Sequence, residues 1–266
     1  MNTPKEDSPS MSTALTDNQS TTGAAQRLIV ALDVPTLEEA RQCVQALEGI
    51  VWFYKIGLEL FQAVNHEFIQ EMKARGCRVF LDLKMNDVDE TIRRAVRRAT
   101  EMGVDFLTIQ GSRRTVQAAV AGKGEGPVKI LFVPLLSSWD AQILQEWGLV
   151  GPNPRYTPRF SQIDDYVMWH AHEAVAHGAD GLIASGPYVR QFRDRFPGHL
   201  IVAPAIRPAG HDSHEHARSL TPAQAIRNGA DYLVVGRPIR DADDRRAAAR
   251  RIVHEIDEAL RSRPNT

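Results

Sequence analysis

Eight short runs of apolar residues follow one another along the chain after residue 25. Most of these runs are continuous rather than alternating, which is typical of parallel strands that are buried on both faces. We therefore predict eight strands, at Leu28–Leu32, Trp52–Ile56, Arg78–Leu83, Phe106–Ile109, Lys129–Leu135, Gly181–Ala184, Leu200–Ala203 and Tyr232–Val235.

Amphipathic stretches lie between most of the predicted strands. Thr36–Leu47 begins with the spacing of a capping box, and Asp87–Met102 carries apolar residues at helical intervals. Thr221-Pro222 predicts another helix start, because Thr caps well and Pro suits the first turn. A last helix is predicted over Asp241–Arg261.

Strands that alternate with helices predict an α/β fold, a (β/α)8 TIM barrel. An open, doubly wound sheet is the alternative. That fold often has a glycine-rich turn after its first strand, whereas this strand ends in Asp33-Val34-Pro35. The barrel is therefore the favoured fold.

Residues 1–25 are polar and nearly free of large apolar side chains, which predicts a disordered leader. Residues 26–266 then form a single barrel domain. Residues 147–164 contain several Gly and Pro residues with little periodicity and are interpreted as a long loop after strand five. Whether this loop covers a site or is an inert insertion stays open.

Composition narrows the functional classes. The 266 residues include 32 basic and 33 acidic side chains, and this balance gives no support to nucleic acid or a membrane surface as the main partner. Cys43 and Cys77 lack the spacing of a zinc site or a disulfide framework. The sequence shows neither a membrane-spanning run nor a signal-peptide pattern, so we expect a cytoplasmic protein.

Ionisable residues lie at the ends of the first three predicted strands. Asp33 ends the first strand, Lys55 lies near the end of the second, and Asp82, Lys84 and Asp87 end or follow the third. Barrel enzymes place their active sites at this end of the strands. Alternation along the strand puts Asp82 and Lys84 on one side, so we expect an alternating network of charges. A purely structural layer of salt bridges is the alternative.

A phosphate site is predicted after the last two strands. Barrels often bind phosphate there, and this sequence supplies Arg207 after strand seven and Gly236-Arg237 after strand eight. Arginine offers paired N–H donors, and glycine lets backbone amides approach the phosphate oxygens.

Several of these segments resemble the orotidine 5′-phosphate decarboxylase family. The resemblance covers nearly the whole chain after the leader, and its Asp-x-Lys-x-x-Asp pattern marks only the wider suprafamily. The C-terminal match is more specific to the decarboxylases. The matching segments are Ala31–Val34, Tyr54–Gly57, Phe80–Asp87, Ile206–Gly210, Leu220–Ile226 and Gly229–Ile239.

The resemblance implies decarboxylation of orotidine 5′-phosphate to uridine 5′-phosphate in pyrimidine biosynthesis, with no cofactor and no metal. Asp82 would face the substrate carboxylate, with Lys55 beside it, and Lys84 would protonate C6. Asp87 and Thr91 would reach the site of a neighbouring subunit, which implies a homodimer with shared active sites.

The resemblance also implies a set of residues that bind the nucleotide. Asp33 and Lys55 would hold the ribose, and Ser137 would contact the pyrimidine. The phosphate ligands would be Arg207, Gly236 and Arg237, with His216 as a further donor.

The sequence departs from the family around the pocket, at Asn86, Asp89, Gln110 and His216. Two alternatives therefore stay open. One is a magnesium-dependent enzyme like hexulose-phosphate synthase or ketogulonate-phosphate decarboxylase, and the other is a silent barrel that binds a nucleotide. His211, His214 and His216 suggest a metal site only weakly, because spacing in a loop supplies no rigid geometry.

Overall fold

The computed structural model describes residues 23–64, 66–153, 157–208 and 219–262. Within these ranges, eight parallel strands pair in chain order, and the last closes onto the first. The closed ring confirms the predicted (β/α)8 barrel and excludes the open sheet. The strands are β1 (Leu28–Ala31), β2 (Phe53–Gly57), β3 (Arg78–Met85), β4 (Phe106–Ile109), β5 (Lys129–Phe132), β6 (Gly181–Ile183), β7 (Leu200–Ala203) and β8 (Tyr232–Val235).

Helices alternate with these strands and surround the barrel. The predicted helices at Thr36–Leu47 and Asp87–Met102 are present, with ends that differ by one or two residues. The helices are α1 (Leu37–Ala46), α2 (Leu58–Ala63), α3 (His66–Ala74), α4 (Asp89–Glu101), α5 (Arg113–Lys123), α6 (Ala141–Glu146), α7 (Ile163–Ala176), α8 (Tyr188–Arg195), α9 (Pro222–Arg227), α10 (Arg237–Arg240) and α11 (Arg245–Arg261).

Capping explains several of these helix ends. The Thr36 and Thr221 hydroxyls accept backbone N–H groups three residues later, as the sequence predicts. The predicted helix over Asp241–Arg261 is wrong at its start, because α11 begins at Arg245 rather than at Asp241. The Asp244 carboxylate caps α11 by accepting the Ala247 N–H at 2.8 Å, so this capping residue sets a new helix start.

The apolar side chains form two layers. One fills the inside of the barrel, and the other lies between the strands and the surrounding helices, as the continuous apolar runs predict. The fully buried members of the inner layer include Ile29, Phe53, Phe80, Phe106, Leu131 and Val202.

The packed part of the chain begins before the predicted domain boundary. Residues 23–25 are helical, and Ala24 and Ala25 are buried in the outer layer of the core. These two alanines carry little apolar surface, so their burial was not evident from composition. Residues 1–22, which make up most of the predicted leader, lie outside the described residues.

The predicted loop after strand five is flanked and partly pinned by regular structure. Helix α6 precedes it, and α7 begins at Ile163, inside the predicted range. Between them Val150 and Phe160 form a parallel bridge, and Trp139 packs edge-on against Trp147 with ring centroids 4.8 Å apart. Residues 154–156 lie outside the described residues.

One arrangement occurs three times at the N-terminal end of the barrel, and we call it the Asp clamp. A Gly-apolar-Asp run precedes β4, β6 and β8. Its carboxylate accepts the N–H of the second residue of the preceding strand at 2.8–2.9 Å. It also pairs with a basic residue of the helix that leads into that strand. The clamps are Asp105 with Val79 and Lys73, Asp180 with Ile130 and Lys123, and Asp231 with Ile201 and Arg193.

The described helices include none that combines the length and apolar character needed to cross a membrane.

Candidate active site

Four charged side chains from the first three strands form a continuous chain at the C-terminal end of the barrel. The Lys55 ammonium lies 2.9 Å from Asp33 Oδ1 and 3.5 Å from Asp82 Oδ2, and Lys84 Nζ lies 2.9 Å from Asp82 Oδ1. The predicted network of alternating charges is therefore present, in the order Asp33, Lys55, Asp82 and Lys84. We call these four residues the charge chain.

The inner members of the charge chain hold each other ionised. Burial alone would lower the pKa of Lys55, but the carboxylates of Asp82 and Asp33 outweigh it and raise that pKa above its ordinary value. Burial would likewise raise the pKa of Asp82, but Lys55 and Lys84 outweigh it and leave that pKa below its ordinary value. Both groups therefore stay charged across the neutral pH range.

Exposure differs along the charge chain. The side chains of Lys55 and Asp82 are 11% and 16% exposed, whereas that of Lys84 is 39% exposed. The protein thus encloses Lys55 and Asp82 in the middle of the charge chain, and it presents the Lys84 ammonium toward solvent. An ammonium held in this way can stabilise a developing negative charge or deliver a proton.

A cavity of about 110 Å³ adjoins the charge chain. Lys55, Asp82 and Lys84 form one side of it, and Ser137 lies on its wall together with Ser185. Apolar side chains make up much of the remainder, namely Phe80, Val133, Leu135, Leu136, Ile183, Pro204 and Val234. The predicted Ser137 is therefore brought to the same site as the ionisable residues.

Asp87 and Thr91 lie apart from the charge chain. Both side chains are exposed, and Asp87 Oδ1 accepts the N–H of Val88 at 2.6 Å. Within the part of the chain that the structure describes, Asp87 makes no ion pair with Lys55 or Lys84. Within this chain, Asp33 rather than Asp87 is the second acid of the network.

The predicted phosphate residues follow neighbouring strands at the same end of the barrel. The Arg207 N–H donates to the Leu220 carbonyl at 2.9 Å, and Arg237 is exposed at the start of α10. Gly236 lies next to the charge chain, since a Cβ built there would be 3.8 Å from Asp33 Oδ2. The two arginines are thus placed on adjacent loops.

The histidines of the predicted loop are not described. His211, His214 and His216 lie within residues 209–218, outside the described ranges. Among the side chains that are described, no three metal-ligating residues cluster.

Gly57 and Arg240 support the charge chain and were not singled out by strand-end reasoning. A Cβ on Gly57 would lie 3.0 Å from Asp33 Oδ1 and 3.1 Å from Lys55 Nζ, so a larger residue there would press on this ion pair. Arg240 Nη1 donates to the Asp33 carbonyl at 2.6 Å. The position of Gly57 at the end of β2 can be recognised in the sequence. The Arg240 contact cannot, because it joins residues 207 positions apart.

Thr108 on β4 was also missed, because a single Thr inside an apolar strand has no distinguishing pattern. It is fully buried, and its hydroxyl donates to Asp82 Oδ1 at 2.9 Å. Its hydroxyl oxygen also accepts the backbone N–H of Lys84 at 3.0 Å.

The unusual residues around the pocket fit one another. Gly111 has φ +125°, and a Cβ there would lie 2.5 Å from Asn86 Oδ1, so the glycine accommodates the asparagine. Asp89 pairs with Arg114 of α5, whose Nε lies 2.8 Å away. These departures from the family pattern therefore occupy consistent positions in the loops after β3 and β4.

Comparisons with known proteins agree with this geometry. The sequence profile of the orotidine 5′-phosphate decarboxylase / HUMPS family matches residues 26–252. The chain belongs to this family. The match begins beside β1 and extends into α11, so it includes the whole barrel.

Individual relatives extend over almost the same range. A protein of Nitrobacter winogradskyi named orotidine 5′-phosphate decarboxylase is 43% identical over 239 residues, covering 90% of this chain and 95% of that protein. A Methylorubrum extorquens protein with the same name is 41% identical over 234 residues, with 88% and 96% coverage. The crystal structure of orotidine 5′-phosphate decarboxylase from Lactobacillus acidophilus is similar with a TM-score of 0.73 at 29% identity, covering 87% of this chain and 99% of that one.

Proposed function

We propose that the chain catalyses the cofactor-independent decarboxylation of orotidine 5′-phosphate to uridine 5′-phosphate in pyrimidine biosynthesis. The observation that carries the proposal is the Lys84 ammonium, held 2.9 Å from the Asp82 carboxylate beside the cavity. The family membership and the names of its relatives support the substrate. The magnesium-dependent alternative is not favoured, because these relatives are named as orotidine 5′-phosphate decarboxylases.

In this proposal the reaction occurs at C6 of the pyrimidine. The bond between C6 and the carboxylate carbon breaks, carbon dioxide leaves, and the electron pair stays on C6. The Lys84 ammonium stabilises this carbanion and then transfers a proton from Nζ to C6. The neutral amine regains a proton from solvent, to which its side chain is 39% exposed.

Asp82 has two roles in this scheme. Its carboxylate fixes Lys84, and it also faces the substrate carboxylate, whose negative charge disappears when carbon dioxide forms. Lys55 keeps Asp82 ionised, and together with Asp33 it holds the ribose hydroxyls.

The remaining contacts bind parts of the substrate that do not react. Ser137 contacts the pyrimidine, and Arg207, Gly236, Arg237 and His216 hold the phosphate. Binding energy from a remote phosphate can be used to orient the reacting group and to exclude water. A cytoplasmic location stays a prediction.

We further propose that a second copy of the chain completes the site through Asp87 and Thr91. Both residues are exposed, and Asp87 has no cationic partner among the described residues of its own chain. Helix α4 begins two residues after Asp87, and Val88 between them is exposed, which suits a contact between subunits.

A turnover assay tests the reaction. Purified protein should decarboxylate orotidine 5′-phosphate, followed by ultraviolet absorbance, and Lys84→Ala should lower kcat/KM by at least about 10⁴-fold. Lys73→Ala is a matched control, because it removes a lysine that pairs with Asp105 at the opposite end of the barrel. Absence of turnover by the wild type, or full activity of Lys84→Ala, would contradict the proposal. Tight binding of uridine 5′-phosphate without turnover would instead favour the silent barrel.

Mixing inactive variants tests the shared site. Lys84→Ala and Asp87→Asn subunits, dissociated and recombined in equal amounts, should regain about a quarter of wild-type activity, because half of the dimers then contain one intact site. If Asp87 acts within its own chain, no mixed dimer has an intact site and no activity returns.

A further inference from the structure

The backbone of β3 is irregular where it carries the charge chain. Leu81 pairs with Leu107 of β4, and the next pair joins Met85 to Ile109. Three residues of β3, Asp82 to Lys84, therefore face one residue of β4, which is Thr108. Bulges of this kind redirect side chains and often lie next to active sites.

The bulge places Lys84 in an uncommon conformation. Its φ is +47°, and among the described residues only one other non-glycine residue, Ala205, has a positive φ. Such a conformation is unfavourable for a side chain other than glycine and persists only where surrounding contacts hold it. The Lys84 N–H donates to the hydroxyl of Thr108 at 3.0 Å instead of to a strand carbonyl.

The Thr108 hydroxyl also contacts Asp82, the ion-pair partner of Lys84. It donates its proton to Asp82 Oδ1 at 2.9 Å, the oxygen that also receives Lys84 Nζ. One buried oxygen thus joins the Lys84 backbone to the Asp82 carboxylate, while the Lys84 side chain closes the ring.

We propose that Thr108 is a positioning residue that holds the Lys84 backbone and the Asp82 carboxylate in the arrangement that presents the Lys84 ammonium. It does not exchange a proton with the substrate and acts through the two residues that it contacts. Its effect on catalysis rests on the proposed decarboxylase function, whereas its effect on the Lys84 backbone does not.

Thr108→Val tests this role because valine has nearly the same shape and lacks the hydroxyl. We expect kcat to fall about tenfold to hundredfold, the range for losing a hydrogen bond to a charged group, with KM changed less than about threefold. Thr108→Ser keeps the hydroxyl and should restore kcat to within about threefold of wild type.

The pH profile separates positioning from a general loss of structure. Hydrogen bonding from Thr108 is one of the causes that lower the pKa of Asp82, so its loss should raise that pKa. The acid limb of kcat/KM should move to higher pH in Thr108→Val and stay in place in Thr108→Ser. Thr100→Val is the matched control, since its hydroxyl donates to the Val96 carbonyl inside α4, away from the charge chain.

Amide hydrogen exchange supplies a readout that needs no turnover. The Lys84 N–H should exchange at least about tenfold faster in Thr108→Val than in the wild type or in Thr108→Ser. An inactive wild type would refute the proposed function, but the exchange comparison would still decide the role of Thr108. Unchanged exchange, or a kcat that Ser and Val lower equally, would overturn the inference.

Discussion

The two ends of the barrel use the same types of charged residue for opposite purposes. At the N-terminal end, each Asp clamp is occupied by a backbone N–H and by a cation from a helix, as Asp231 is by Ile201 and Arg193. At the C-terminal end, the partners of Asp82 among the described residues are all side chains, namely two lysines and Thr108, and they lie beside a cavity.

This difference separates charges that hold the fold together from charges that we propose act in the reaction. A carboxylate that accepts a strand amide is part of the fold, and its removal leaves a donor unsatisfied. A carboxylate held by side chains over a cavity adds little to the sheet but sets the charge and position of its neighbours. Arg78 is a further structural case, since it lies 4.1 Å above the Phe53 ring and pairs with Asp105.

The largest expected effect comes from replacing one aspartate at each end of the barrel. One variant should lose activity, and the other should lose stability. Asp82→Asn should lower kcat by at least about 10³-fold, because Lys84 loses the charge that positions it. Asp231→Ala should lower the free energy of unfolding by about 2 kcal/mol and leave kcat within about twofold of wild type. Steady-state kinetics and denaturant unfolding measure both. Similar losses of activity in the two variants would remove the distinction between the ends.

A smaller effect concerns pH. Lys55→Met should cost about 2 kcal/mol of unfolding free energy at pH 7, because it leaves Asp82 and Asp33 without their shared cation. The raised pKa of Lys55 contributes stability below its unfolded value near 10.4, which is lost as pH rises through the folded pKa. The lowered pKa of Asp82 contributes stability above about 3.9, which is lost as pH falls.

The difference in the free energy of unfolding between the wild type and Lys55→Met should therefore be largest at intermediate pH. It should become smaller at both lower and higher pH. On the acid side it narrows because Asp82 of the variant, lacking Lys55, takes up a proton at higher pH than in the wild type. Unfolding curves at pH 4, 7 and about 11.5 measure this, since the Lys55 contribution is lost only above its unfolded pKa. Lys129→Met is the control at the opposite end, where a half-exposed ion pair contributes under about 1 kcal/mol. A gap that is independent of pH would contradict the coupling.

The smallest effect compares two glycines. Gly57→Ala should lower kcat/KM about tenfold, because its Cβ would press on the Asp33–Lys55 pair and a small misplacement at a charged site costs roughly that much. Gly198→Ala, in the loop before β7, meets no atom within 4 Å and should behave as wild type in the same assay. Equal activity of the two variants would show that the pair tolerates displacement.

The sequence predicted the barrel well because strand burial follows from local composition. All eight predicted strands are present, with small differences in length, and the caps at Thr36 and Thr221 act as expected. The sequence predicted the start of the packed domain less well, because Ala24 and Ala25 already lie in the core. It also placed the start of α11 too early, because the Asp244 cap sets that start. Small residues and single caps carry a weak signal against a background of long apolar runs.

What the sequence determined by itself was the fold, the end of the barrel that carries the ionisable residues, and most of those residues. Strand periodicity and the Asp82-x-Lys84 spacing can be predicted from the sequence, because each pattern lies within one short segment. Only the tertiary structure decided that Lys55 joins Asp33 to Asp82, that Gly57 lies against the Asp33–Lys55 pair, and that Thr108 completes the Asp82–Lys84 pair. These contacts join residues that lie 22 to 27 positions apart in the sequence. They depend on strand register and on a bulge, which no single segment of the sequence specifies.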